Sequence, residues 1–306
     1  MISDGFPLTC ILSPSGGEEE KIFWTRLMID FHTHIFSPHA REQREQWARQ
    51  DPVFSVIYAD QKAQMIGAEE LLEAMDENGV KASVVCGFPW LNEDLCRREN
   101  DYLLECHSRY PERIIPFINL PEDPQTAIAE LKRCVQGGAM GVGELAPGTY
   151  GEQLWARETI QPIFEAIKAE ELPVLIHCNE PLGHPYPGKG RVRLAELEML
   201  VDALQGMQVI LAHWGGGVFF YELMPEIAAL CQGVYYDTAA SPYLYNKKIY
   251  KTAIDIIGPQ RILFGSDYPL IPPQRYVQEM QEAGLGTEEL EGILEGNAHR
   301  LLNHLP

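Results

Sequence analysis

Short apolar segments recur along the chain from residue 28 onward, and an amphipathic stretch follows each of them. The segments are rich in Val, Ile and Leu and are apolar on both faces, which is typical of parallel strands covered by helices. They are MIDFHTH (28–34), ASVVCGF (82–88), IIPFINL (114–120), AMGVGEL (139–145), PVLIHC (173–178), QVILAHW (208–214), VYYDTA (234–239) and RILFGSD (261–267). We therefore predict eight strands.

The stretches between the strands predict helices. In the stretch 67–80, Leu71, Leu72 and Met75 are apolar positions, and Asn78-Gly79 is a helix-stop signal. The other predicted helices are 91–110, 124–136, 158–171, 193–204, 221–231, 247–257, 274–283 and a closing helix at 287–302. Eight strands, each followed by a helix, predict an α/β fold of the (β/α)8 TIM-barrel type.

The chain is divided into a short tail and one domain. A single barrel accommodates a chain of 306 residues. Residues 1–27 are a polar, turn-rich tail without the basic start and continuous apolar run of a signal peptide, and residues 28–306 are predicted to be the barrel. The longest connection, 35–66, follows the first strand, and connections of that length are typically lids or binding loops.

Charge and cysteine content narrow the class of partner. The net charge of −20 disfavours nucleic acid and anionic membranes, and no apolar run approaches the roughly 20 residues that span a bilayer. The seven cysteines form no C-x-x-C pair, which favours a reducing cytoplasmic setting over a disulfide framework. We expect a small-molecule substrate, and the sequence leaves open whether the chain forms a homo-oligomer.

Ionisable residues are concentrated at the carboxyl ends of the predicted strands, where barrel enzymes build their active sites. These residues are His32 and His34 on the first strand, Glu144 on the fourth, His177 on the fifth, His213 on the sixth and Asp267 on the eighth. Residues i and i+2 of a strand share a face, so His32 and His34 are both expected to face the barrel axis. The same alternation pairs Leu211 with His213. The set predicts a site for Zn²⁺ or another divalent transition metal such as Mn²⁺.

Several of these segments resemble those of a known superfamily. IDFHTH, LIHC, LAHWGGG, FGSDYP and GNAHRLL, spread over residues 28–302, are similar to the amidohydrolase superfamily, and most to the group that includes the aminocarboxymuconate semialdehyde decarboxylases. The resemblance implies that His32, His34, His177 and Asp267 bind the metal. It also implies that His213 lies beside the metal-bound water.

Glu144 departs from the pattern in which a lysine on the fourth strand is carboxylated, and in this respect the chain is closer to the metal-dependent DNases of the TatD type. Two interpretations stay open. Glu144 bridges two ions, with His177 and His213 holding the second, or it orients a ligating histidine around a single ion. We therefore expect one or two metal ions.

Three functions are compatible with this site. The first is a metal hydrolase that acts on a small amide, lactone or ester, and we expect this substrate to carry a carboxylate. In it, the metal lowers the pKa of water toward ~7, Asp267 transfers the proton, and His213 orients the water or polarises the carbonyl. The alternative is a metal-dependent decarboxylase that acts on a small unsaturated or aromatic acid with the same residues. The third, a non-catalytic metal-binding barrel, is disfavoured because a structural site has closed coordination.

Two further features concern the substrate. The segment Gly183–Gly190 is similar to a phosphate-binding loop, but Gly190 replaces the Ser or Thr and two prolines remove backbone donors, which excludes nucleotide binding. Lys189 and Arg191, with Arg193, are either a solvated charge cluster or a clamp for a substrate carboxylate.

Asp237, on the seventh strand, is either a residue of the site rim or a hydrogen-bonded core residue.

Overall fold

Eight parallel strands form one sheet in the order β1 to β8, so the predicted (β/α)8 barrel is confirmed. The structure, a computed structural model, describes residues 28–146, 157–190 and 194–303. The predicted tail 1–27 lies outside the described residues. The strands are β1 (Met28–Thr33), β2 (Val80–Cys86), β3 (Ile114–Ile118), β4 (Gly141–Leu145), β5 (Val174–Ile176), β6 (Val209–Leu211), β7 (Val234–Asp237) and β8 (Ile262–Leu263).

Backbone hydrogen bonds join the first strand to the last and bring the sheet to closure. Phe31 N donates to Phe264 O at 2.7 Å, and Asp267 N donates to His32 O at 2.8 Å. The second bond links the backbones of two predicted metal-site residues. The closing seam of the barrel therefore sets their relative position.

Helices follow the strands and cover the outside of the sheet. They are α1 (Pro38–Glu42), α2 (Arg44–Gln50), α3 (Pro52–Tyr58), α4 (Ala68–Asn78), α5 (Glu93–Arg109), α6 (Pro124–Gln136), α7 (Arg157–Ala169), α8 (Leu194–Ala203), α9 (Pro225–Leu230), α10 (Ser241–Leu244), α11 (Lys248–Ile257), α12 (Pro273–Glu282), α13 (Thr287–Glu291) and α14 (Asn297–Leu302). Local sequence explains several boundaries. Asn92 and Asp123 cap α5 and α6, and Gly79 ends α4 in the left-handed conformation with φ 73°.

Strand residues alternate between two buried layers. Phe31, Phe117 and Leu175 belong to an inner cluster made mostly of strand residues, whereas Val174 and Leu211 pack with the surrounding helices. The predicted pairing of Leu211 with His213 on the inner face is therefore wrong. Leu211 lies in the outer layer because its neighbours Ile210 and Ala212 take the inner one, and His213 leaves this alternation after β6 ends, with φ 53°.

The connection 35–66 is a packed wall rather than an extended loop. It carries α1, α2 and α3, and its residues share an aromatic cluster with the segment after β2. Phe54 stacks on Trp90 with ring centroids 4.9 Å apart, and Phe36 contacts Tyr58 at 4.7 Å. Such edge-to-face and offset contacts stabilise a fixed arrangement of rings. If the connection 35–66 binds a ligand, as the sequence predicts, it does so with a surface that is already formed.

No helix in the described part of the chain is both long enough and apolar enough to cross a bilayer. The six cysteines that the structure describes are buried free thiols: Cys86, Cys96, Cys106, Cys134, Cys178 and Cys231. Five of them pack in the cluster between the sheet and its helices or in the aromatic cluster of the 35–66 connection, and Cys86 packs inside the barrel. They act there as small apolar residues.

We expect Glu99→Gln to remove a pH-dependent loss of stability. Burial raises the pKa of Glu99 from 4.5 to about 7, against the opposing hydrogen bond from Ser37, and Oε1 has no partner among the described residues. Between these two pH values the folded state binds more protons than the unfolded state, so the free energy of unfolding falls as pH rises. At pH 8 the variant should gain up to about 3 kcal/mol.

Urea unfolding of both proteins at pH 5 to 8 measures this difference. Glu105→Gln, on the exposed face of the same helix α5, is the control and should keep the wild-type slope. Parallel stability curves for wild type and Glu99→Gln would show that Glu99 does not bind the extra proton.

Candidate metal centre

All six predicted metal-site residues meet at the carboxyl end of the barrel. His32, His34 and Asp267 form one set whose ligand atoms all lie within 4.8 Å of one another. The Nε2 atoms of His32 and His34 are 3.1 Å apart, and His34 Nε2 is 3.4 Å from Asp267 Oδ1. The i, i+2 spacing thus places both rings of the first strand in the same site, as the sequence predicts.

Glu144 lies between two groups of histidines. Its Oε1 is 2.7 Å from His177 Nδ1 and 3.4 Å from His213 Nε2. Its Oε2 is 3.6 Å from His32 Nε2 and 3.8 Å from His34 Nε2. The set His32, Glu144 and His213 is a second group that could hold a metal ion. Each oxygen of one carboxylate therefore faces a different pair of rings.

In three of these rings, Nδ1 points away from the centre of the site and lies beside an oxygen that can only accept a hydrogen bond. The Nδ1 atoms of His32, His34 and His213 lie 2.8, 3.2 and 3.1 Å from Asp237 Oδ2, Cys86 O and Ala239 O, respectively. Each Nδ1 must carry the proton, so each Nε2 presents its lone pair to the centre of the site. This is the arrangement that metal-ligating histidines adopt, and the donor set fits a divalent metal.

His177 is arranged differently. Its Nδ1 faces Glu144, and its Nε2 is 2.8 Å from Asn179 Nδ2. It belongs to neither of the two sets of donors identified in the described chain. The structure places His177 beside Glu144, and its ligation of a metal stays a prediction.

A left-handed stretch of backbone delivers His213 to the site. His213, Trp214 and the three glycines that follow all have positive φ, with values from 53° to 91°. His213 N donates to Asp237 Oδ1 at 2.8 Å. A side chain at Gly216 would collide with the backbone of Asn179. Close packing therefore explains why a glycine is needed at this position.

The electrostatics of the site favour a central positive charge. Burial opposes ionisation of Glu144, yet His177 and His32 hold its pKa well below its usual range. Burial also opposes protonation of His213, but the hydrogen bond and charge of Glu144 raise its pKa to about 9. Asp267 has a lowered pKa because His34 and the neighbouring rings outweigh its burial. Carboxylates that stay ionised at this depth require a proton or a metal cation beside them.

Five of the six metal-site residues form the floor of a cavity of about 760 Å³: His34, Glu144, His177, His213 and Asp267. Its walls are mostly aromatic and apolar, and include Tyr58, Phe88, Tyr186, Tyr243, Leu244 and Leu270. A few polar groups converging at the end of an apolar cleft are characteristic of small-molecule sites.

The structure describes only one of the residues predicted to clamp a substrate carboxylate. Lys189 Nζ donates to Leu182 O at 2.6 Å and to His184 O at 3.2 Å, so the ammonium group ties its own loop together. Arg191 and Arg193 lie outside the described residues. The clamp stays a prediction.

Two residues that hold the metal-site histidines in place are harder to identify from the sequence. Asp237 binds His32 through Oδ2 and the backbone of His213 through Oδ1, so of its two sequence interpretations the hydrogen-bonded core residue is the one observed. Asn179 joins His177 to Tyr186, a cavity residue, at 3.2 Å. Its position two residues after His177 on one strand end was the available signal, because residues i and i+2 share a face.

The chain belongs to the amidohydrolase family, whose model matches residues 29–303. The gamma-resorcylate decarboxylase of Polaromonas sp. is 25% identical over 278 residues, which are 74% of this chain and 84% of that protein. The gamma-resorcylate decarboxylase of Rhizobium radiobacter is 27% identical over 223 residues, 58% of this chain and 66% of that protein. The crystal structure of a dihydroxybenzoic acid decarboxylase from Polaromonas sp., with manganese and 2-nitroresorcinol bound, shares the fold with a TM-score of 0.67 and 18% identity over 91% of this chain and 97% of that one.

These comparisons correct one prediction. The chain is an enzyme of the amidohydrolase superfamily, but the prediction of a hydrolase as its main function is wrong, because the relatives it matches are decarboxylases. The error has a chemical cause. One set of histidines and carboxylates around a divalent metal serves hydrolysis and carbon–carbon cleavage alike, so the donor set alone does not separate the two reactions.

We expect His32→Ala to lower metal affinity by about 100-fold or more while the barrel stays folded, because the lost ring belongs to both donor sets at the catalytic end of the barrel. Metal analysis after dialysis and far-UV circular dichroism measure the two effects. His299→Ala is the matched control and should keep its metal, because His299 lies on α14 and its ring contacts Glu295 rather than the donor sets. Full metal content in His32→Ala would contradict the assignment.

Proposed function

We propose that this enzyme is a metal-dependent decarboxylase, a carbon–carbon lyase, that acts on a small aromatic carboxylic acid. The observation that carries the proposal is the cavity, in which a polar metal-ligand floor lies beneath aromatic and apolar walls. The decarboxylase relatives support the reaction class. Apolar walls favour the loss of a charged carboxylate as neutral CO2, because they exclude water from the reacting acid.

The residues that would hold the metal are His32, His34 and Asp267, together with Glu144 and His213. When bound, a divalent cation supplies positive charge that binds the oxygens of the acid and draws electron density from the breaking bond. Nitrogen and oxygen donors suit several first-row metals. Manganese in the Polaromonas structure makes Mn²⁺ the first ion to test, with Zn²⁺ as the second.

The chain's own groups position the acid and supply a proton. Decarboxylation breaks the bond between the ring and the carboxylate carbon, CO2 leaves, and a proton takes its place on the ring carbon. We assign proton transfer to Asp267, whose ionised carboxylate takes up a proton from solvent and passes it to the ring carbon as CO2 leaves. Its side chain is 16% exposed against 7% for His213, and its closest contacts to His32 and His34 are made by Oδ1. Oδ2 is therefore left for the proton, and His213 orients the acid beside it.

We expect the metal-loaded protein to release CO2 from gamma-resorcylate, and Asp267→Asn to lower kcat by about 10²–10⁴-fold, because an amide cannot carry the proton. Mass spectrometry of CO2 from carboxyl-labelled substrate measures the rate. Asp60→Asn is the control, because Asp60 also lines the cavity but belongs to neither donor set. Consumption of substrate without labelled CO2 would refute the reaction, and unchanged kcat in Asp267→Asn would refute the role.

We further propose that Glu144 ligates metal directly and bridges two ions. Its two oxygens face different pairs of histidines, which is the placement that a bridging carboxylate needs between two cations. Its burial supports this role, because an ionised carboxylate at 6% exposure is costly without cationic partners.

Glu144→Gln should therefore reduce the metal content from two equivalents per chain to one, because a neutral amide cannot offset the repulsion between two cations. Metal analysis of the purified proteins measures the content. Glu180→Gln, three residues after His177 in the loop after β5, is the control. One equivalent in wild type and in Glu144→Gln would contradict the bridge and leave Glu144 as a partner that orients His177.

A further inference from the structure

Asp51 is a fully buried carboxylate that accepts four backbone hydrogen bonds. Its Oδ1 accepts from Val53 N at 2.9 Å and Phe54 N at 3.0 Å. Its Oδ2 accepts from Leu91 N at 2.7 Å and Asn92 N at 2.8 Å. The first pair begins α3, and the second pair lies in the segment after β2. One side chain thus joins two separate parts of the chain.

Both parts that Asp51 joins line the cavity. Helix α3 contributes Val56, Ile57 and Tyr58, and the segment after β2 contributes Phe88 and Pro89. These five residues form one side wall of the cavity, which we call the wall below, and none of them is among the metal-site residues. The four hydrogen bonds of Asp51 therefore act on the shape of the wall.

Ring contacts transmit the position of the backbone to the cavity surface. Phe54, whose N–H binds Asp51, contacts Phe88 with ring centroids 5.8 Å apart, and Tyr58 contacts Phe88 at 5.6 Å. Trp90 also stacks on Phe54, with ring centroids 4.9 Å apart. A shift of α3 relative to the segment after β2 would move Tyr58 and Phe88 against each other.

We propose that Asp51 is a specificity-determining positioning residue. It holds Tyr58 and Phe88 at the spacing that receives the ring of a planar aromatic acid, without touching the acid. The proposal rests on the proposed function for the chemical class of the ligand. It adds which wall of the cavity recognises the ring and what holds that wall.

Asp51→Asn tests the proposal because the amide keeps the size of the side chain. Its nitrogen would face two N–H donors, so one pair of hydrogen bonds to a charged acceptor is lost. Asp123→Asn is the matched control. Asp123 also caps a helix, where its Oδ2 accepts from Thr126 N at 2.9 Å, but it is exposed and lies outside the cavity.

The measurement is isothermal titration of the Mn²⁺-loaded proteins, each carrying Asp267→Asn to slow turnover, with gamma-resorcylate and with crotonate, a small unsaturated acid without a ring. Asp51→Asn should raise the Kd of gamma-resorcylate by about tenfold while crotonate binding and metal content stay within about twofold of wild type. Asp123→Asn should leave both acids unaffected. Phe88→Leu, which removes a ring from the wall but keeps an apolar side chain, should repeat the selective loss and serves if Asp51→Asn does not fold.

The Asp267→Asn background keeps turnover slow during the titration, so the outcome is separate from that of the decarboxylase test. Wild type that binds gamma-resorcylate but releases no CO2 would refute the proposed function and leave this inference standing. Equal weakening of both acids in Asp51→Asn, or unchanged gamma-resorcylate binding in Asp51→Asn or Phe88→Leu, would overturn it. Wild type that binds gamma-resorcylate no better than crotonate would overturn it as well.

Discussion

The burial of the Glu144 carboxylate among four histidine rings is the constraint on which the site depends. A charge at this depth is stable only with cationic or hydrogen-bonding partners, and here each oxygen faces two rings. The rings in turn are held from behind by Asp237 and by backbone carbonyls. The orientation of the whole donor set is therefore the one that stabilises the buried negative charge of Glu144 at the mouth of the barrel.

The barrel supplies these partners by ending its strands early. Strands β5, β6 and β8 stop before His177, His213 and Asp267, which frees each backbone to turn the side chain into the mouth. His213 and Asp267 both have positive φ, a conformation that costs energy in residues with a side chain. His213 N donates to Asp237 Oδ1 and Asp267 N donates to His32 O, and these two hydrogen bonds hold two of the turns.

Much of this could be predicted from the sequence, because strand periodicity and polar strand ends are local signals. The eight strands and the meeting of His32 and His34 follow from residue spacing alone. His213 reaches the site through a left-handed turn rather than by alternation, which strand periodicity does not describe. The link from Asp51 to Leu91 and Asn92 joins residues 40 and 41 positions apart, so only the fold reveals it. The sequence favoured hydrolysis over decarboxylation, its stated alternative, although the same donor set supports both chemistries.

Anomalous diffraction at the manganese edge, from crystals of the protein loaded with Mn²⁺, tests the central claim most directly. The account predicts anomalous density among the donor atoms of His32, His34 and Asp267, and beside Glu144 next to His213. Density confined to surface carboxylates, with none at the mouth of the barrel, would contradict it.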